Sequence, residues 1–549
     1  MSDASNIDAQ AHSGPMLAAD GTPLKKSLAR ALRRQKMRAL MLIAPLLIFV
    51  LVTFIAPIGD MLFRSVENQI VSETLPRTSQ ALSDWDAKSG ELPSDEVFRA
   101  AYEDIFLAAE AKLHTRLGTR LNYELTGISS LFRKSGRGLD DIGDVYLDQF
   151  KDLNANWNKG PFWAELMGSD AWLANMVDWQ KGEKHPKLAL RAQIEDLLPR
   201  TAAVYREFAR FQLIEKDRNP VGRKPWTLVH TALYEDLSSA DVSGYKGPHA
   251  DALKAAAALV ASPDFQVADI RATFADIDED WLNIEVWQTI QMYSPTFTSG
   301  YFLNSVDMQK TPDGPALREE DERIYGLLFK RTIFMSMVIT FSCIALAYPV
   351  AYILANLPSR TANLLMILVL LPFWTSLLVR TSAWKVMLQQ NGVINEVLVW
   401  IGLVADDGRL ALINNQLGTI VAMTHILLPF MILPMYSVMA TIPPSYVRAA
   451  KSMGATNVTA FRRVYFPQSI PGIGAGSILV FILSIGYYIT PEIVGGTTGT
   501  FISNRIAYHI SSSLNWGLAA ALGAILLVVV LILYWAYDRI VGIDNVKLG

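Results

Sequence analysis

The chain has 549 residues, 51% of them hydrophobic and 18% charged, with a formal net charge of -3 and a mean hydropathy of +0.23. This balance excludes an ordinary soluble protein, and so small a net charge gives no general attraction to nucleic acid. A single cysteine, Cys343, excludes intrachain disulfides and cysteine-cluster metal sites. The seven histidines lack the spacing of a zinc site, so we predict no metal site in this chain.

The N-terminal region combines a polar tail, a basic stretch and one long apolar run. Residues 1–38 include seven lysines and arginines after position 24, and residues 39–58 are almost entirely apolar. A run of about 20 apolar residues is long enough to cross a bilayer, and no small-residue cleavage site follows it. We therefore predict a cytoplasmic basic tail over 1–38 and a first transmembrane helix over 39–64, rather than a cleaved signal peptide.

Residues 65–325 form a polar segment without any run long enough to span a membrane. Their apolar residues recur at helical spacing, as they do on both sides of Pro199 and in the alanine-rich stretch 252–261. If the first span runs outward, this segment lies outside the cell membrane. We predict a large, mostly helical external insertion with a core of its own between the first and second transmembrane helices.

The rest of the chain, 326–549, is predicted to hold five more spans. Apolar runs place them near 332–354, 363–381, 418–439, 472–489 and 517–541. Alternation puts the loop 440–471 in the cytoplasm, and this loop carries four basic residues and no acid, as the positive-inside rule expects. The sequence thus predicts an all-α, multi-pass membrane protein with about six transmembrane helices and both termini in the cytoplasm.

The cytoplasmic loop 443–467 is predicted to form two short helices. Ser445 can cap the first helix, and Gly454 can end it in a left-handed conformation. Thr456 can cap the second helix, which Pro467 is expected to terminate. The second helix offers Val458, Phe461 and Tyr465 on one face, with Arg462 and Arg463 beside them. An apolar face with basic flanks suits docking into a groove of a partner protein.

This loop resembles the EAA loop of ATP-binding-cassette (ABC) importer permeases. The matching positions are Ala449, Ala450, Gly454, Val464, Phe466 and Pro467, while Arg448 stands where the family has a glutamate. The stretches 371–384, 391–395, 427–434 and 489–496 resemble the spermidine/putrescine-type branch of these permeases. The resemblance implies the ABC importer permease fold. It also implies that a set of loop residues couples the chain to an ATPase, namely Arg448, Ala449, Ala450, Gly454, Phe461 and Pro467.

The partners follow from the same resemblance. The chain contains no G-x-x-x-x-G-K-[ST] motif, so ATP and Mg are expected on separate cytoplasmic ATP-binding subunits and no catalytic residue is predicted here. A second permease subunit and an external solute-binding protein are implied by analogy. The expected location is the bacterial inner membrane, with the lipid bilayer as surroundings and no nucleic acid as partner.

Two groups of residues are candidates for the substrate pathway. Trp374, Thr375 and Thr381 lie near the outer end of the third predicted span, where Trp374 could offer a cation–π face or simply anchor at the interface. Tyr487, Tyr488 and Glu492 lie where the fifth predicted span breaks at Pro491, and could hold an amine or serve only packing and solvation. His425, inside the fourth predicted span, is either a functional group or a packing histidine.

Three functional hypotheses remain. The first is a permease subunit of an ABC importer for a small polar solute, either a polyamine or a related amine or amino-acid-like compound. The second is a membrane-anchored receptor or assembly scaffold that acts through 65–325. The third, an ion-coupled secondary transporter, is disfavoured because the spans lack buried carboxylates and no internal repeat is evident.

Overall fold

The computed structural model of the protein describes residues 24–541. These residues form two units, one up to Ser65 and one from Val66 onward. The first unit is a single rod: helix α1 (Leu24–Val50) passes through a π-helical turn (Leu51–Ile55) into α2 (Ala56–Arg64). Helix α1 begins at Leu24, so the basic stretch 25–38 is part of this helix. Residues 1–23 of the predicted tail lie outside the described residues.

The second unit begins with the insertion, defined here as residues 66–324. It is mostly helical, as predicted, and its one hairpin joins strands β1 (Met308–Thr311) and β2 (Gly314–Leu317) in antiparallel register. Its α-helices are α3 (Ile70–Thr74), α4 (Pro76–Ala81), α5 (Asp95–Glu110), α6 (His114–Leu121), α7 (Ile128–Gly138), α8 (Asp140–Leu153), α9 (Gly160–Met167), α10 (Asp170–Val177), α11 (Ala192–Leu197), α12 (Pro199–Arg210), α13 (Thr227–Leu237), α14 (Ala250–Val260), α15 (Ile270–Ile277), α16 (Ile284–Met292) and α17 (Gly300–Ser305).

The insertion contains two copies of one helical unit, which the sequence analysis failed to recognise. The tetrapeptide Leu-Pro-Arg-Thr occurs at 75–78 and again at 198–201. Both leucines adopt the same backbone conformation between two helices, with φ, ψ of −123°, 59° and −127°, 66°. Residues 70–167 are called the first copy below, and residues 192–292 the second copy.

A second shared tripeptide, Tyr-Glu-Asp, explains why the first motif recurs. It occupies 102–104 in the first copy and 234–236 in the second. The Asp104 carboxylate accepts hydrogen bonds from the backbone N–H and the hydroxyl of Thr78, at 2.8 and 2.9 Å. Asp236 accepts the same pair from Thr201, both at 2.7 Å. In each copy a buried carboxylate thus accepts a hydrogen bond from a backbone N–H in the first turn of the neighbouring helix, which has no partner within that helix.

The two copies also share a tryptophan pair in the core. The indole N–H of Trp163 donates to the carbonyl of Trp157 at 2.7 Å, and that of Trp287 donates to Trp281 at 2.9 Å. All four side chains are fully buried. Both indoles therefore bury their apolar area while their N–H groups remain satisfied.

The copies pack on each other in a reciprocal way. Phe98 of the first copy lies 4.7 Å from the ring of Trp287 in the second. Its equivalent in the second copy, His230, lies 5.1 Å from Trp163 in the first. Likewise α8 packs on α13, and its equivalent α15 packs on α5. Such an exchange of equivalent contacts is typical of a pair related by an approximate two-fold rotation.

The permease core, residues 325–541, consists of helices only. They are α18 (Tyr325–Asn356), α19 (Ser359–Leu370), α20 (Leu377–Met387), α21 (Val393–Trp400), α22 (Gln416–Ala440), α23 (Pro444–Ser452), α24 (Asn457–Ala460), α25 (Phe466–Gly486), α26 (Ile489–Val494), α27 (Ile502–Ser511) and α28 (Trp516–Val541).

Between residues 24 and 541, five helices are long and apolar enough to cross a membrane. They are Leu32–Arg64, Tyr325–Asn356, Gln416–Ala440, Asn457–Gly486 and Trp516–Tyr537. A sixth span exists only if the pair Ser359–Trp374 and Leu377–Met387, bent by 91°, counts as one. The span predicted over 363–381 corresponds to this bent pair, in which the chain turns at Thr375.

Helices α18, α22 and α25 form the centre of the core. Gly472 and Gly476 on α25 lie against Met431, Met435 and Val438 of α22, so closely that an added Cβ would touch them. Small residues let two helix backbones approach in this way. These glycines therefore let two helices of the same chain pack closely.

The insertion is joined to the outer helices of the core by specific contacts. The ring of Tyr301 on α17 fills the space above Gly517 on α28, where a Cβ would collide with it. Tyr325 at the start of α18 bonds the buried His509 of α27, 3.1 Å from Oη to Nε2. Burial and the nearby Arg505 lower the pKa of His509 to about 4, so it is neutral at pH 7. We call these contacts of Tyr301 with Gly517 and of Tyr325 with His509 the joint.

Candidate coupling loop and translocation pathway

The first half of the loop 443–467 is built around two prolines and one glycine. Helix α23 begins directly at Pro444, with Pro443 in the N-cap position and no side-chain cap. The expected cap by Ser445 is therefore wrong, because proline at the first helical position already fixes the entry. Gly454 has φ of +88°, the left-handed conformation predicted for the residue that ends this helix.

The second half continues into the membrane without a stop. Thr456 caps α24 as predicted, with its side-chain oxygen accepting from the N–H of Thr459 at 3.3 Å. The chain then forms a π-helical turn over Phe461–Tyr465 and enters α25 at Phe466. Pro467 does not terminate a helix, contrary to expectation. It is the second residue of α25 and follows directly on the π-helical turn, where the regular hydrogen-bond pattern of the α-helix is already interrupted.

The side chain of Phe461 is half-buried and faces the helices of the core. Its ring packs on Tyr348 and Tyr352 of α18 and on Tyr465, with ring centroids 6.1, 5.7 and 5.9 Å apart. Tyr465 is buried, and so is Ala450. Phe461 therefore holds the loop against the core, and the predicted apolar face of Val458, Phe461 and Tyr465 exists only in part.

Of the predicted apolar face, only Val458 is exposed, and other apolar residues of the loop are exposed with it. Met453 is 83% exposed, Val458 75% and Tyr446 52%. Sequence reasoning missed Met453 and Tyr446, although the position of Met453 directly before the Gly454 turn could have indicated that it projects. Together with five other exposed residues they form what we call the loop surface: Tyr446, Arg448, Ala449, Lys451, Met453, Val458, Arg462 and Arg463.

The pathway candidates of the bent pair lie around its break. Trp374 ends the first arm and is 70% exposed. The hydroxyl of Thr375 donates to the carbonyl of Pro372 at 2.7 Å and so closes the turn at the break. Thr381 in the second arm is fully buried and lies 3.1 Å from the hydroxyl of Thr490. Thr381 therefore connects the bent pair to α26.

The other candidates surround α26. Tyr487 is half-buried, whereas Tyr488 and Glu492 are exposed. The Glu492 carboxylate accepts a hydrogen bond from Asn504 Nδ2 at 2.6 Å, and the same amide donates to the carbonyl of Tyr488 at 2.9 Å. Asn504 thus fixes the carboxylate beside the tyrosine pair. Nothing in the sequence around Asn504 indicated this role.

Two further groups join this region. Trp384 of the bent pair donates to Nδ1 of His425 on α22 at 3.1 Å, so this histidine is hydrogen-bonded. Arg380 lies close enough to act electrostatically on both His425 and Tyr487. Among the described residues, its Nε and Nη1 atoms are buried without a hydrogen-bond acceptor. An arginine with unused donors in such a place can receive an anionic or carbonyl oxygen.

Comparison with known proteins decides the family. The model of the family "binding-protein-dependent transport system inner membrane component" matches residues 347–541. The spermidine/putrescine transport system permease protein PotB of Salmonella typhimurium (strain SL1344) is 32% identical over 222 residues, which cover 40% of this chain and 77% of that protein. The chain belongs to this family. It is a permease subunit of an importer, and its permease part is an integral, multi-pass component of the inner membrane.

Other relatives agree with this assignment. PotB of Escherichia coli (strain K12) is 31% identical, with 40% of this chain and 80% of that protein covered. The inner membrane ABC transporter permease protein YdcU of the same organism is 33% identical, with 39% and 70% covered. The family model begins at residue 347, so the insertion lies outside it.

Two solved structures match the chain at lower sequence identity. A bacterial ABC transporter involved in the import of the acidic polysaccharide alginate is 19% identical, covering 50% of this chain and 100% of that one, with a TM-score of 0.35. The MetNI methionine ABC transporter in an inward-facing conformation is 19% identical, covering 38% and 91%, with a TM-score of 0.31.

Proposed function

We propose that this permease takes up a small solute carrying an amino group, with energy from separate ATP-binding subunits that dock on the loop surface. The observation that carries the docking proposal is the exposure of Met453 and Val458 among four basic side chains on one short loop. Two apolar side chains left in water beside a basic rim are typical of an interaction site. Ala449 and Gly454 let a partner backbone approach, and Arg448 would meet the partner where relatives have an acid.

Mg and ATP would then be held by the docking subunits, and this chain would contribute no catalytic residue. A second permease subunit would complete the pathway, and an external binding protein would deliver the solute. The membership in a binding-protein-dependent family supports the last partner. We place both termini in the cytoplasm, because the basic loop 440–471 and the basic N-terminal stretch then lie on the same, inner side.

A polyamine is the first candidate substrate. The relatives named above as spermidine/putrescine permeases support it, and so does the local chemistry of α26. Glu492 is held by Asn504 beside Tyr488, so a carboxylate and an aromatic face are available to an ammonium group. Trp374 offers a second exposed aromatic face across the bent pair.

An amine that also carries a carboxylate is the second candidate, and Arg380 favours it. Its buried Nε and Nη1 lack acceptors in the described part of the chain, and the guanidinium lies near Tyr487. A pure polycation would be repelled there, whereas a carboxylate would be bound through two hydrogen bonds.

The substrate can be identified by uptake in proteoliposomes that contain the whole transporter. Labelled putrescine would be competed with spermidine and with neutral amino acids. If Arg380 binds a carboxylate, Arg380→Gln should weaken competition by amino acids at least tenfold and leave competition by spermidine unchanged. If putrescine is the substrate, Glu492→Gln should raise its KM at least tenfold, with Glu396→Gln as an exposed-carboxylate control. If neither substitution changes the KM or the competition for uptake, Arg380 and Glu492 are not part of the substrate pathway.

The insertion would act in the same process. Since it is joined to α18 and α28 at the joint, we propose that it receives the binding protein or covers the outer entrance. The receptor or scaffold alternative draws no support from this geometry. The ring of Tyr301 in the insertion packs directly on Gly517 in the permease core, so the two parts are in close contact.

A further inference from the structure

The two copies in the insertion contain equivalent grooves between the Leu-Pro-Arg-Thr helix and the Tyr-Glu-Asp helix. In the first copy the groove is open and is lined by Arg77, Gln80, Ala81, Glu96 and Ala100, among others. The equivalent residues of the second copy line its groove: Arg200, Ala203, Val204, Leu228 and Ala232. The same surface of the repeated unit therefore forms a concavity twice.

The second groove differs because side chains of the first copy close it. Arg77, Arg99, Tyr102 and Glu103 reach across from the first copy and leave a cavity of about 190 Å³. Tyr102 fixes this crossing, since its hydroxyl lies 3.2 Å from that of Thr231. Protein interiors rarely leave voids larger than one water, which takes about 30 Å³ in the liquid. This space could hold about six waters or a molecule of similar size.

The cavity is lined by both signs of charge. Arg77 pairs with Glu103 at 3.1 Å, and Arg200 pairs with Glu235 at 2.5 Å. Arg77 is also fixed by Asp104 and Glu207, at 3.0 and 2.9 Å. Arg77 is therefore held in place on one side of the cavity by three carboxylates.

Arg99 is held much less firmly than its neighbours. Its ion pair with Glu235 is 3.7 Å long, beyond the 2.7–2.9 Å of a charge-assisted hydrogen bond. Glu235 is already engaged by Arg200 at the shorter distance. The Arg99 guanidinium is therefore available to another acceptor, and its side chain is 38% exposed at the rim.

We infer that the cavity between the two copies binds a small zwitterion, a molecule with one carboxylate and one ammonium group such as an α-amino acid. The carboxylate would bind Arg99 and Arg200, and the ammonium group would bind Glu103 and Glu235. A dianion would meet the like charges of Glu103 and Glu235, and a dication those of Arg99 and Arg200, so a ligand with a single sign of charge would be repelled by one of the two sets. Burial raises the pKa of the Glu103 carboxyl, and an ammonium group beside it would reverse that shift.

This site lies in the insertion, apart from the pathway candidates of the core, and is independent of the solute proposed for transport. A ligand bound between the copies would stabilise their packing, as any ligand of the native state does.

The test is binding to the purified full-length chain in detergent. Thermal unfolding and calorimetric titration would compare a panel of neutral α-amino acids with putrescine, a dication, and succinate, a dianion. At least one zwitterion should raise Tm and bind, whereas the dication and the dianion should not. Arg99→Gln and Glu103→Gln should each weaken binding of that zwitterion at least tenfold.

The matched control is Glu96→Gln, which removes a carboxylate from the open groove of the first copy and should leave binding unchanged. Arg99→Lys keeps the charge without the planar fork and should bind with intermediate affinity. Each variant must retain the ligand-free Tm within a few degrees, and Arg99 is exposed enough for this to be expected. No binding by any zwitterion, equal binding of putrescine or succinate, or unchanged affinity in both Gln variants would overturn the inference.

Discussion

The carboxylate of Asp307 accepts a hydrogen bond from the backbone N–H of Tyr325 at 2.8 Å. Asp307 belongs to the insertion, and Tyr325 is the first residue of a membrane-spanning helix of the core. The same carboxylate accepts from the N–H groups of Ile324 and Gly326, at 3.0 and 2.7 Å. A side chain of the insertion thus satisfies the free donors at the start of α18, where a negative charge is also favoured.

Asp307→Ala should lower the free energy of unfolding by about 1–2 kcal/mol, because the first turn of α18 loses its cap. Thermal unfolding in detergent would measure this. The control is Asp313→Ala in the nearby hairpin turn, where an 89% exposed carboxylate pairs with an exposed lysine and contributes little. Equal effects of the two substitutions would contradict the capping role.

The residues that flank the repeated part of the insertion, 70–292, are joined to each other by backbone hydrogen bonds. Asn68 donates its N–H to the carbonyl of Thr296 at 2.7 Å, and Thr298 donates to Val66 at 2.8 Å. A short Gly-Ser linker in place of 70–292 should therefore leave Asp307 and the start of α18 in place. It removes Arg120, whose Nε donates to the Tyr301 hydroxyl at 3.0 Å, and Glu124, which pairs with Arg318 at 3.4 Å, so the joint should be weakened. We expect this variant to insert into the membrane and to keep ATP-coupled uptake, with a weaker response to the binding protein. Complete loss of uptake in a correctly inserted variant would favour the receptor hypothesis.

A charge on the loop surface should block docking. Val458→Glu and Met453→Glu each place a carboxylate where an apolar side chain would be desolvated by the partner, so stimulated ATPase activity should fall at least tenfold. Val177→Glu is the control, because Val177 is equally exposed, at 80%, but lies in the insertion. Arg448→Glu, which restores the acid of the related loops, should alter coupling without affecting insertion. Coupling that is unchanged in all three loop variants would place the docking site elsewhere.

His230 should make the insertion sensitive to acid. Burial lowers its pKa to about 4 from the ordinary 6.5, although Nε2 donates to the carbonyl of Trp157 at 3.0 Å. Since the folded pKa is the lower one, the unfolded chain takes up the proton first as pH falls. Above pH 6.5 His230 is neutral in both the folded and the unfolded chain. As the pH falls from 6.5 to 4, protonation of His230 in the unfolded chain lowers the free energy of unfolding by about 3 kcal/mol.

His230→Phe tests this, because the equivalent residue of the first copy is Phe98. The variant should unfold with a smaller decrease in stability between pH 7 and pH 5 than the unaltered protein. His185→Phe, an exposed histidine of the insertion, serves as the control. An identical pH dependence in His230→Phe and the unaltered protein would contradict the account.

Local rules predicted the parts of this molecule that depend on neighbouring residues. The left-handed Gly454 and the Thr456 cap follow from residue type and position, and the apolar runs located the membrane helices. Pro467 was misassigned because a π-helical turn before it lets the helix continue, and such turns have no clear sequence signal. Hydropathy located one apolar run over 363–381 and could not indicate the break at Thr375, because α19 packs on α18 whereas α20 packs on α26 and α22.

The repeat was missed for a different reason. Its two copies share only short motifs, and their offset changes from 123 residues at Arg77 and Arg200 to 132 at Asp104 and Asp236, as subtraction of the residue numbers shows. The shared role of Asp104 and Asp236, each accepting from a threonine N–H, shows that the short motifs are equivalent. The Asn504–Glu492 contact and the joint likewise bring together residues whose proximity depends on tertiary packing.

The central claim is that this chain transports only when a separate ATPase docks on it. The most direct measurement is ATP-driven uptake of labelled putrescine and amino acids into proteoliposomes. One preparation would contain the complete transporter, and others would lack the ATP-binding subunits or carry Val458→Glu. The account predicts uptake in the first preparation alone, and no ATP hydrolysis by the isolated chain. ATP hydrolysis or ATP-driven uptake by this chain without ATP-binding subunits would contradict it.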